Sequence, residues 1–151
     1  MTNMRLVRMT GRGLAGTFAV VGVIFLAIPG KVLAAFNWLA AGLGWPESTT
    51  QPYTLYLALA VAYMYVVTLL AWQMARHPEV RPYPWMLVHA KAASSLLSIG
   101  LFAFQDQYLL YLANFVVDGA IALFVWWLCL RRPAGGAAGG PAPEQPATER
   151  R

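Results

Sequence analysis

The sequence predicts an all-α protein, an integral membrane four-helix bundle, and three observations predict it. Hydrophobic residues make up 59% of the 151-residue chain and charged residues only 11%, against about 25% charged in a soluble domain. The apolar residues gather into four long windows that are almost free of charge. The basic residues between those windows fall overwhelmingly on one side if the helices alternate in direction. A mean hydropathy of +0.54 cannot be hidden in so small a core, because a short chain has too much surface for its volume. Lipid is the solvent that accepts such a surface.

Each helix follows from its window, since crossing about 30 Å of hydrocarbon takes roughly 20 apolar residues. Between Arg12 and Lys31 lie 18 uncharged residues, predicting a first helix over about 13–29. Between Glu47 and Arg76 lie 28, predicting a second over 53–75. The windows Arg81–Asp106 and Asp106–Arg131 are interrupted only by Lys91 and Asp118. They predict helices over 84–104 and 108–130, joined as a tight hairpin. The uncharged stretch after Lys31 is too short to span. Val32, Phe36, Leu39 and Leu43 recur in it at helical spacing. It predicts a short interfacial helix over about 32–44, with Trp38 and Trp45 at headgroup depth. Residues 46–52 read as a loop, and the proline-rich stretch 76–84 as a polar turn. After Arg132 the composition turns to Ala, Gly and Pro. One transmembrane domain, 1–132, is expected, followed by a disordered cytoplasmic tail, 133–151, with nothing to bury.

Arg5, Arg8, Arg12, Arg76, Arg81, Arg131, Arg132, Arg150 and Arg151 all fall on one side of this topology, with Lys31 alone on the other. The positive-inside bias therefore places the N and C termini in the cytoplasm of an inner (plasma) membrane protein. It also explains the net charge of +5 without a nucleic-acid partner. A rival reading takes Arg5 to Ala34 as a signal peptide cut after Ala34, which leaves three helices in the same orientation. The single cysteine, Cys129, excludes an intrachain disulfide and a cysteine-based zinc site. No metal-ligand spacing is present. Gly11-Arg12-Gly13-Leu14-Ala15-Gly16 has the spacing of a dinucleotide fingerprint, but no strand precedes it. Ala15, Ala19 and Gly22, with Gly16 beside them, read instead as a small-residue packing face, with Ala58 and Ala62 as its partner.

The clearest chemical signal is charge inside lipid. A Lys or Asp near a helix centre costs roughly 2.5–3.5 kcal/mol on insertion scales. Folding the hairpin about Asp106 brings Asp118 level with Ser94, one helical turn from Lys91. Lys91, Ser94, Ser95 and Ser98 share one stripe of their helix; Tyr111, Asn114 and Asp118 share one of theirs. The expectation is a buried polar seam built on a Lys91–Asp118 ion pair. Lys91 alternatively snorkels, being about 10 Å from its helix end. The same folding about the turn near Glu79 sets Thr68 level with Lys91 and Tyr65 near Ser94.

Polar residues of this kind either hold membrane helices together or mark a proton, ion or ligand site. His89 points to another face than Lys91. With Tyr63 or Tyr65 it is the candidate contact for a haem or quinone, although no cofactor is indicated. No catalytic constellation is present, so the chain is read as leaning away from enzymes. Three functions stay open: a non-catalytic subunit or scaffold of a membrane complex, a small oligomeric transporter or proton-coupled carrier using the seam, and a haem- or quinone-binding redox subunit. The expected partners are the lipid bilayer and a second membrane protein or another copy of the chain.

Overall fold

A computed structural model of the protein describes residues 2–48, 54–105 and 107–131. Among the described residues the chain is all-helical, with α1 (Thr2–Ala27), α2 (Pro29–Gly42), α3 (Thr54–Arg76), α4 (Pro82–Phe104) and α5 (Leu109–Leu130). Helices α1, α3, α4 and α5 are long and apolar enough to cross a membrane and pack together as a four-helix bundle. By length and composition the chain is a multi-pass membrane protein. Tyr53, the loop residues 49–52, the hairpin centre Asp106 and everything from Arg132 onward, including the expected tail, lie outside the described residues.

The largest difference from the sequence reading is at α1, which begins at Thr2 instead of near residue 13. Arginine bounds the stretch that lipid accepts, not the stretch that forms helical hydrogen bonds, and it is a good helix former. At 26 residues α1 is about 39 Å long, so its basic first turns run beyond the hydrocarbon thickness. Helix α2 begins at Pro29, three residues before its expected start. Pro29 has no N–H to donate and drives the preceding Ile28 out of helical geometry, to φ −139° and ψ 50°. The chain therefore breaks at Ile28 and restarts with Pro29 in the first turn, where proline is tolerated. Helix α2 has 14 residues, about 21 Å, too short to span.

The exit from α2 is fixed by a Schellman motif. Gly44 takes φ +71°; Gly44 N–H donates to Ala41 O at 3.2 Å and Trp45 N–H to Ala40 O at 2.9 Å. The Asn37 amide then clamps Ser48, donating to its carbonyl at 3.0 Å and accepting from its N–H at 2.9 Å. The Trp45 ring lies 5.5 Å from that of Phe102, tying this loop to the end of α4.

The bundle consists of two tight pairs, α1 with α3 and α4 with α5, joined mainly along α3 and α4. Val7, Gly11, Ala15 and Phe18 form the buried stripe of α1. A Cβ on Gly11 would sit 2.8 Å from both the carbonyl oxygen of Ala71 and the backbone nitrogen of Ala75. At Gly11, α1 therefore touches the α3 backbone itself. A Cβ on Gly22, about three turns further along, would meet Met64 at 3.2 Å, so the two helices are antiparallel. The expected small-residue face is thus rotated and shifted. Ala15 and Gly22 face α3, whereas Ala19, Gly16, Ala58 and Ala62 are exposed. The longer α1 moves the closest approach toward its N-terminal half. This topology puts Arg5, Arg8, Arg12, Arg76, Arg81 and Arg131 at one end of the bundle and Lys31 at the other.

Candidate functional site

The polar stripes of α4 and α5 meet at the height that the hairpin register dictates. Lys91 Nζ lies 2.8 Å from Asp118 Oδ1. The two side chains are 3% and 5% exposed, so Lys91 is an enclosed partner of Asp118 and does not snorkel to the helix end. One turn toward the hairpin, the Asn114 amide donates to Ser98 Oγ at 2.7 Å and Ser94 Oγ at 3.1 Å. Ser95 Oγ donates to the Phe115 carbonyl at 2.9 Å. Gly119 makes room for that serine, since a Cβ there would lie 3.0 Å from Ser95 Oγ. Tyr111 is half-buried, with its ring 5.8 Å from that of Tyr108.

The remaining surroundings of Lys91 come from the other pair. Its ammonium sits over the Phe18 ring of α1, 4.5 Å from the centroid, and over the Tyr63 ring of α3 at 5.1 Å. A desolvated cation over an aromatic face gains about 2 kcal/mol or more. Tyr63 also donates its hydroxyl to the Ala90 carbonyl at 2.9 Å. Each spanning helix thus supplies one group: Phe18, Tyr63, Lys91 and Asp118. Together they replace the hydration an ammonium loses on burial. Among the described residues Asp118 accepts hydrogen bonds through Oδ1 only.

Helix rotation separates the candidate cofactor contacts. His89 is exposed, two residues and 200° from Lys91, with its ring 6.1 Å from Trp85. Tyr65 is 64% exposed and Thr68 donates to its own helix, to the Met64 carbonyl at 2.7 Å. Tyr63 turns inward. These side chains share no site. Among the described residues no group of three His, Cys, Asp or Glu side chains converges.

Sequence reasoning did not assign Phe18 to the seam and placed Tyr63 only among the cofactor contacts. A signal for Phe18 existed: it shares a stripe with Ala15 and Gly22. What it faces depends on how the two helix pairs dock, which no local pattern encodes. Fold and seam together define a multi-pass helical membrane bundle stitched at its centre by one ion pair. No family model, no curated protein and no solved structure matches the chain.

Proposed function

We propose that the protein is a non-catalytic subunit or scaffold of an inner-membrane complex, with the Lys91–Asp118 seam as an internal brace. One observation carries this reading. The two charged groups at helix mid-depth are bonded to each other, enclosed, and roofed by rings from the other two spanning helices. A conducting or catalytic group must meet water or substrate; a brace need not. Polar contacts supply the adhesion between helices that the hydrophobic effect cannot supply in lipid.

The arginine-rich end of the bundle supports cytoplasmic N and C termini. Retention of α1 in the mature protein is supported by its packing. A cut after Ala34 would fall inside α2 and remove Phe18 from the Lys91 ammonium. N-terminal sequencing of membrane-extracted protein is expected to read from the first residues of α1.

The proposal is tested by purification in mild detergent followed by reconstitution into liposomes. The expected result is a second membrane protein at fixed stoichiometry and no proton flux. A monodisperse single chain that passes protons, and loses the flux with Asp118→Asn, would overturn it. That outcome belongs to the carrier reading, which rests on ionisable side chains lying inside spanning segments.

A further inference from the structure

Where α1 and α3 leave the bundle, an open cleft of about 690 Å³ is lined by Arg8, Arg12, Trp72, Ala75, Arg76 and His77. Its construction follows from the helix contact below it. Arg8 and Arg12 are four residues apart and share a face of α1. Gly11, between them, brings α1 onto the backbone of α3 at Ala71 and Ala75. The two α1 guanidiniums are thereby drawn to the last turn of α3, which carries Arg76. The Arg76 guanidinium lies over the Trp72 ring, 5.9 Å from its centroid.

Among the described residues no carboxylate pairs with these charges. The nearest acidic group in sequence, Glu79, is engaged by His77 at 3.6 Å. Part of the arrangement has an ordinary explanation, because a cation at a helix C-terminus suits the helix dipole. That explains Arg76 alone. It does not explain why two arginines from a second helix converge on the same concavity, where like charges repel. A guanidinium is planar, always charged, and presents parallel N–H donors that match a phosphate. Trp72 marks the depth of the membrane–water boundary, where a lipid phosphate resides.

We propose that this cleft binds a phosphate ester, held by Arg8, Arg12 and Arg76 against the Trp72–Ala75 wall. The same chemistry is offered by the headgroup of an anionic phospholipid and by a soluble phosphate, and the test separates them. Thermal unfolding of the detergent-purified protein is followed with phosphatidylglycerol, with phosphatidylcholine, and with inorganic phosphate against chloride at equal ionic strength. A lipid ligand raises Tm saturably with phosphatidylglycerol and not with phosphatidylcholine, by roughly 5–10 °C at a hundredfold excess over Kd. A saturable rise with inorganic phosphate identifies a soluble ligand instead.

Charge alone is controlled with two variants of equal charge loss. Arg8→Gln with Arg76→Gln abolishes the rise, whereas Arg150→Gln with Arg151→Gln retains it. The Tm of the first variant without ligand reports whether it still folds; if it does not, single Arg12→Gln replaces it with a reduced rise expected. The proposal is overturned if no phosphate-bearing ligand shifts Tm, or if the two double variants weaken the shift equally.

Discussion

The two helix pairs make contacts of similar extent with opposite chemistry. Helices α1 and α3 meet through Gly11, Ala15, Ala71 and Ala75, close enough for backbone to touch side chain and backbone. Helices α4 and α5 meet through Lys91, Ser95, Ser98, Asn114 and Asp118, each with a hydrogen bond across the interface. Both solve the same problem. Lipid tails are as apolar as leucine, so association must come from close van der Waals contact or from polar groups that have no better partner. The first pair depends on absent atoms and the second on present ones. They should therefore fail under different substitutions.

The largest effect should come from unbalancing the polar pair. Lys91→Met leaves Asp118 buried without its counter-charge, which costs about 3–5 kcal/mol. Lys91→Met combined with Asp118→Leu should recover most of that stability, because a buried ion pair is often replaceable by apolar groups. Unfolding in graded denaturing detergent reads both. A double variant as unstable as the single one would mean that the pair is not a self-contained brace.

Next comes the dry pair. Gly11→Ala places a Cβ 2.8–2.9 Å from α3 backbone atoms and the Ala75 side chain. Overpacking of this kind costs about 1–3 kcal/mol, and cysteine crosslinking between α1 and α3 should weaken with it. The matching change on the other side, Gly119→Ala, meets the Ser95 hydroxyl at 3.0 Å and its Cβ, at ordinary van der Waals distance, at 3.9 Å. That hydroxyl can rotate away, losing one interhelical hydrogen bond worth about 0.6 kcal/mol. Equal losses at Gly11 and Gly119 would erase the distinction between the pairs.

Asn114→Leu should fall between about 0.6 and 1.7 kcal/mol, since it removes the donor shared by Ser94 and Ser98. The smallest effect is expected at Gly16. A Cβ there has nothing within 4 Å, so Gly16→Ala should stay within about 0.5 kcal/mol of the parent. A large loss at Gly16 in the native membrane but not in detergent would show that a partner covers this face.

The two pairs also differ in how far they were legible in the sequence. The polar pair was readable because its helices are joined by a short turn. Counting outward from Asp106 fixes which residues are level, and stripes at three and four residues fix the faces. The dry pair was readable only in kind. Its helices are separated by α2 and a loop, so no turn sets their register. Glycine was expected at the contact, but the partner residues were sought at Ala58 and Ala62 instead of Ala71 and Ala75. The same limit explains Tyr65. Its height along α3 followed from counting, but the rotation of α3 did not, and the inward tyrosine is Tyr63.

By itself the sequence determined the all-helical class, the places of the four apolar segments, the segregation of arginine to one end and the α4–α5 register. Those properties follow from composition and from local periodicity along short connections. Only the tertiary structure decided that Phe18 and Tyr63 roof the Lys91 ammonium, and that Gly11 draws Arg8 and Arg12 beside Arg76. Both depend on how α1 and α3 dock on each other and on the α4–α5 hairpin. That docking is set by steric fit between helices distant in the chain, and no single segment carries it.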